Sequence, residues 1–195
     1  MQNKMKNQNP LPPMSKTRLT SVSKFLSLVL RHEPGRIGLT LDSAGWVPVD
    51  ELLEKAAATG RAFNREELGE VVASNDKQRF SFSADGTRIR ANQGHSVEVV
   101  LGLAPQVPPD TLLHGTAARF VEAILRTGLD KRARHHVHMT ENAEVAMSVG
   151  QRYGQPVLLR IDARAMQARG HVFFRSDNGV WLVDHVPPEF VAVVP

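Results

Sequence analysis

FSFSADGTRIR, residues 80–90, decides how the first half of this chain folds. Phe80 and Phe82 alternate with Ser81 and Ser83, the period of a strand with one buried face. Asp85-Gly86 supplies a turn, and Arg88-Ile89-Arg90 returns along the first strand. Alternation puts Arg88 and Arg90 on the same face of the ribbon. Upstream, Val22, Phe25, Leu26, Val29 and Leu30 recur at helical spacing. Residues 42–45 read as a turn and 49–58 as a second helix with Asp50 near its start. A third helix is expected over 65–74, with Leu68, Val71 and Val72 apolar. Three short helices followed by a two-stranded ribbon is the winged-helix pattern. Such a lobe usually faces nucleic acid, although many winged helices mediate only protein contacts.

Downstream, residues 101–110 carry Pro105, Pro108 and Pro109. Proline removes backbone donors and resists both helix and sheet, so this run is read as a linker. Beyond it, Leu112-Leu113 forms a strand that leads into His114-Gly115-Thr116. Helices are expected over 120–125 and 143–153, and strands over 136–139 and 156–161. A hairpin over 171–174 and 179–183 turns around Ser176-Asp177-Asn178-Gly179. The fold class is α+β, with a mainly antiparallel sheet in the second half. The division is a disordered tail over 1–17, a winged-helix lobe over 18–104 and a second lobe over 105–195. No Gly-x-Gly-x-x-Gly follows a strand and no Gly-Lys-Ser/Thr loop occurs, so neither a Rossmann site nor a phosphate loop is supported.

Composition narrows the classes. The chain has 195 residues, 42% of them hydrophobic, enough for real cores. No apolar run approaches the length of a membrane span, so no membrane partner is expected. The start is polar rather than a signal peptide, and cytoplasmic residence is the expectation. Absence of cysteine excludes disulfides, thiolate zinc sites and a cysteine nucleophile. A net charge of +4 and a pI near 9.8 suit a polyanionic partner but equally a solvated basic surface.

Several polar clusters could carry chemistry. Arg31-His32 ends the first helix. Cations favour helix C-termini through the macrodipole, and the same pair could present planar donors to a phosphate. Lys77-Gln78-Arg79 precedes the hairpin, and Arg88 and Arg90 return along it; charges on an edge strand also serve to block aggregation. The polar run Asn92-Gln93-Gly94-His95-Ser96 fits a donor-rich loop or a surface turn. Glycine in His114-Gly115-Thr116 permits close approach of a ligand to the backbone, while a lone histidine at a strand end is more often structural. In Arg134-His135-His136-Val137-His138, a strand puts His136 and His138 on one face. No further ligands stand at zinc spacing, so no metal is expected. Gly179-Val180-Trp181-Leu182 alone reads as core.

Taken together, SKFLSLVLRH (23–32), DSAGWVPVDELL (42–53), NDKQRFSFSADGTRIRANQGHS (75–96), LLHGT (112–116), RHHVHMT (134–140) and NGVWL (178–182) resemble the RNA 2′-phosphotransferase family. No single motif decides this; their order and spacing from Ser23 to Val191 do. The resemblance implies a winged-helix RNA-binding lobe ahead of an ADP-ribosyltransferase-like, NAD-binding lobe. It implies removal of an internal 2′-phosphate from RNA, as in the last step of tRNA splicing, with NAD consumed as co-substrate. The path would run through an ADP-ribosylated 2′-phosphate to 2′-hydroxyl RNA, nicotinamide and ADP-ribose 1″,2″-cyclic phosphate. Arg31, His32, Arg79 and Arg134 match the family's catalytic positions. His114, Gly115, Thr116, His138 and Val180 match its cofactor-binding positions. Many protein-modifying ADP-ribosyltransferases place a glutamate where Val180 stands. A tRNA-like RNA partner and a monomer complete the expectation. Two rivals stay open: another ADP-ribosyl transfer, to protein or to phosphorylated nucleic-acid ends, and a winged-helix regulator with an inactive second lobe.

Overall fold

The computed structural model describes residues 14–74 and 77–195. The expected tail falls mostly on positions outside these, but its end does not. Met14 donates its backbone N–H to the Glu70 carboxylate, and Ser15 caps helix α1 (Lys16–Arg31) by accepting from the Arg18 backbone. Capping satisfies an N–H that the first helical turn leaves open. The stripe Val22, Phe25, Leu26, Val29 and Leu30 is buried, as its spacing requires.

Strand β1 (Val47–Pro48) leads directly into α2 (Val49–Ala58), and α3 (Arg65–Ala73) follows. A capping box starts α3: the Asn64 side chain accepts from the Glu67 backbone, and the Glu67 carboxylate accepts from the Asn64 backbone. β2 (Phe80–Phe82) and β3 (Arg88–Ala91) form the hairpin, in register Phe80↔Ala91 and Phe82↔Ile89. Its loop takes in residues 84–87, closed by Ser83 N–H to the Arg88 carbonyl, and so is wider than Asp85-Gly86 alone. The ribbon also gains a third strand, because β1 pairs with β3 at Val47↔Ile89. Arg88 and Arg90 do share a face, where both guanidiniums lie over the Trp46 ring. One core, from Val22 to Ala91, unites these elements.

The second half comprises β4 (Pro105–Gln106), β5 (Thr111–Ala117), α4 (Ala118–Thr127), β6 (Leu129–Asp130), β7 (Val137–Met139), α5 (Ala143–Gly150), β8 (Pro156–Asp162), α6 (Ala163–Ala168), β9 (Phe173–Arg175), β10 (Trp181–Val183), β11 (His185–Val186) and β12 (Val191–Val193). Its sheets run β4-β9-β10-β7, β12-β8-β5 and β11-β6, all antiparallel. A bridge between Leu113 and Thr140 brings β5 beside β7. A second core spans Leu112 to Phe190.

Three expectations need correction. The proline-rich run is more than a linker, since Pro105 and Gln106 pair with Phe174 and Phe173. A proline is tolerated there because β4 is a sheet edge. His114-Gly115-Thr116 does not follow a strand but lies inside β5. The helix expected over 143–153 ends at Gly150 and tightens into a 3₁₀ turn, Gln151–Tyr153. Overall the described chain is mixed α and β with antiparallel sheets. None of its described helices is long and apolar enough to cross a membrane.

Candidate active site

The site grows from the C-terminal end of α1. The loop after β3 folds back onto it: Ser96 donates its backbone N–H to the Arg31 carbonyl at 2.9 Å, and the Ser96 hydroxyl lies 2.9 Å from His32 Nδ1. This loop satisfies carbonyls that a helix end leaves open. Arg31 then points inward rather than out to solvent. Its Nη2 donates to the Arg79 carbonyl at 3.2 Å, its guanidinium lies 5.7 Å from the Phe80 ring centre, and its buried Nε has no hydrogen-bond partner among the described residues. Burial, reinforced by Arg79 and Arg134, lowers its pKa to about 10. The helix dipole favours a cation at this end, and it does not by itself require the inward, buried placement of Arg31.

Arg79 is placed by the segment before β2. Asn92, 3% exposed, donates its backbone N–H to the Arg79 carbonyl and its side-chain Nδ2 to the Gln78 carbonyl at 2.6 Å. Gln78 takes a left-handed φ of 39°, which turns the chain sharply just before Arg79. Burial and then Arg152, from the 3₁₀ turn after α5, lower the Arg79 pKa. Arg152 had no signal in the sequence, since it adjoins Arg79 only through the tertiary fold.

The facing wall is made by β5 and β7. His114 Nδ1 lies 2.9 Å from the His138 carbonyl. A carbonyl only accepts, so Nδ1 carries the proton and donates. Burial holds His114 below its ordinary pKa, and neutral His114 keeps Nε2 as an acceptor. Arg134 Nη1 lies 3.1 Å from His138 Nδ1. Arginine only donates, so His138 Nδ1 accepts. Burial, then Arg134 and Arg31, push the His138 pKa down to about 3. Gly94 stands between the halves: a Cβ there would lie 3.5 Å from Arg31 Nη1 and 3.6 Å from His138 Cε1. Arg31, Arg79, Arg134, His114 and His138 are thus linked by direct contact or by mutual charge. His32 joins at the edge, its pKa lowered by burial and then by Arg31 and Arg134.

A Cβ on Gly115 would stand 1.6 Å from the Ala146 carbonyl oxygen, so α5 packs on β5 where no side chain fits. Helix packing therefore requires a glycine here. Thr116 is buried one residue further along the strand. Val180 stands one residue before the Trp181↔Met139 pair, in the turn that enters β10. Beside the arginines opens a cleft of about 310 Å³, lined by Gly94, His95, His136, His138, Phe174 and Leu182 among others. His95 is 1% exposed and its ring nitrogens have no hydrogen-bond partner among the described residues.

Chemically, the groups that perturb Arg31, Arg79 and His138 are all guanidiniums or imidazoles. Of these only the guanidiniums are charged; gathered out of water they repel, and a phosphate monoester is the complement such a cluster suits. No three metal-ligating side chains converge among the described residues.

A family model described as RNA 2′-phosphotransferase, Tpt1 / KptA family, matches residues 17–185. Proteins named "Probable RNA 2′-phosphotransferase" are similar over most of the chain. That of Nostoc punctiforme is 54% identical over 178 residues, covering 91% of this chain and 98% of its own. The Pseudomonas aeruginosa protein is 54% identical over 179 residues, covering 91% and 98%. The Streptomyces griseus protein is 55% identical over 185 residues, with 91% and 98% covered.

Proposed function

The chain belongs to the RNA 2′-phosphotransferase, Tpt1 / KptA family, and on that footing we propose that it removes an internal 2′-phosphate from RNA by transferring it to NAD. Under this proposal, residues 18–104 form a winged-helix RNA-facing lobe and residues 105–195 an ADP-ribosyltransferase-like lobe. The observation that carries the reading is the gathering of Arg79 and Arg134 about the buried Arg31, with Arg134 and Arg31 also bearing on a neutral His138.

A 2′-phosphate carries nearly two negative charges and three acceptor oxygens. Guanidiniums hold such a group with paired N–H donors in a fixed plane. Arg31 is preset by its bond to the Arg79 carbonyl, and Arg134 by its contact with His138. The donor set fits NAD as co-substrate, since neutral His114 offers Nε2 to a ribose hydroxyl while its Nδ1 is fastened to β7. NAD, when bound, supplies an electron-poor ribose carbon from which nicotinamide departs. The phosphate is already an anion, so no strong base is needed for the first transfer, and Val180 fits where a carboxylate would serve a weaker nucleophile. In the second transfer the ribose 2-hydroxyl oxygen bonds to phosphorus, the bond to the RNA 2′-oxygen breaks, and the proton passes to that oxygen. Charge then builds on the non-bridging oxygens, where preorganised donors stabilise it most. A tRNA-like RNA, a cytoplasmic location and a monomeric state belong to the same proposal.

The test combines the purified protein with NAD and a short RNA carrying one internal 2′-phosphate. The expected products are 2′-hydroxyl RNA, nicotinamide and ADP-ribose 1″,2″-cyclic phosphate. Release of inorganic phosphate, or ADP-ribosylation of protein with the RNA untouched, would overturn the reading.

A further inference from the structure

The segment Lys77-Gln78-Arg79 has each of its carbonyls taken. The Gln78 and Arg79 carbonyls are held from within the first half, by Asn92 and Arg31. The Lys77 carbonyl is held from the second half: Asn178 Nδ2 donates to it at 2.8 Å. Asn178 lies in the turn between β9 and β10, two residues before Val180.

The orientation of the Asn178 amide is fixed at both ends. The Lys77 carbonyl can only accept, so it takes the NH2 end, and Oδ1 accepts from the hydroxyl of buried Ser176 at 2.7 Å. The same Ser176 hydroxyl accepts the Val180 backbone N–H at 3.1 Å, and Ser176 N–H donates to the Val180 carbonyl at 2.9 Å. One residue earlier, Asp177 pairs with Arg90 at 3.0 Å, and Arg90 lies 4.6 Å from the Trp46 ring centre. Two consecutive turn residues thus grip the segment before β2 and strand β3 itself.

We propose that Asn178 is a positioning residue, which registers the Arg79 segment against the turn that carries Val180 and so sets the distance between phosphate-holding and cofactor-side groups. This rests on the phosphotransferase reading above. Asp177, through Arg90, supports the same alignment from the opposite side of the hairpin. Asn178 touches no reacting atom. It acts through the Lys77 carbonyl, two residues from Arg79.

The two halves bear on one reaction, so a small loss of register should tell on rate before binding. The test uses Asn178→Ala and the isosteric Asn178→Asp, which puts a carboxylate oxygen against the Lys77 carbonyl in place of a donor. Single-turnover assays use a 2′-phosphorylated RNA at saturating NAD. Both variants are expected to lose about 10- to 100-fold in the rate of phosphate removal, because ångström misplacement of catalytic groups costs on that scale. KM for NAD should change by less than about threefold, and RNA bearing ADP-ribose on its 2′-phosphate should accumulate, with Asn178→Asp the worse of the two. Rates like the wild type would overturn the inference, as would a raised KM for NAD with an unchanged maximal rate. Uniform loss in both steps, in proportion to a lowered melting temperature, would make Asn178 merely structural and overturn it too. If Asn178→Ala does not fold, Asn178→Asp and Asp177→Asn carry the test. A wild-type protein inactive on this RNA would sink the phosphotransferase reading instead.

Discussion

Acid should unfold this protein through its neutral histidines, and His95 offers the cleanest measure. The fold lowers the His95 pKa to about 4, from 6.5, by burial and then by Arg31, His135, His32 and Arg90. Between those values the unfolded chain binds a proton that the folded chain refuses. The stability His95 supports is therefore complete above pH 6.5 and drains away as the pH falls toward 4. Each pH unit inside the window is worth about 1.4 kcal/mol per proton, so His95 alone costs roughly 2 kcal/mol between pH 7 and pH 5. His138, lowered to about 3, adds a similar amount over the same interval. Urea unfolding at pH 7, 6 and 5 measures the slope. His95→Gln removes one titrating group, whatever it does to stability at pH 7, and should flatten the curve by roughly 2 kcal/mol over that range. Parallel curves for the variant and the wild type would refute the reasoning, because a histidine that takes up its proton equally in both states contributes no slope.

Arg79→Ala should slow phosphate removal by about 10²–10³ and let ADP-ribosylated RNA accumulate on a gel, with Arg79→Lys rescuing poorly; only unreacted 2′-phosphate RNA at saturating substrates would place the arginine in the first transfer. His114→Ala should raise KM for NAD and leave RNA binding nearly intact, as titration with labelled RNA would check. Gly115→Ala should cost about 3 kcal/mol, at the upper end of overpacking, since backbone rather than a pliable side chain meets the new methyl; an unchanged melting temperature counts against that. Activity should persist in EDTA, and loss restored by a divalent ion would contradict the proposed chemistry.

What the sequence revealed followed from period and spacing. The buried stripe of α1 and the alternation of β2 are local patterns, and α2 lies over residues 49–58, where a helix with Asp50 near its start is expected. The corrections fall where local pattern carries no information. Two-residue strands such as β1, β4, β6 and β11 have no period to read, and only their partners define them. Pro105 marks a sheet edge as readily as a linker. α6 did have a signal, Asp162 capping it through the Ala165 backbone, but six residues give no stripe. In the site, motif matching brought out the arginines and histidines that the fold draws together. It could not find Arg152 beside Arg79, or the amide of Asn178 on Lys77, because those neighbours are far apart along the chain.

Gly115 has a further meaning for how this chain can vary. Every other amino acid adds at least one carbon at a point occupied by the backbone of α5. A lineage cannot leave glycine there in one step without also moving the helix, and no neighbouring side chain can shrink to make room. Substitutions at 115 are thus filtered by assembly before any effect on catalysis is felt. A glycine shared there with relatives would report an inherited way of stacking helix on strand, whatever the strand binds.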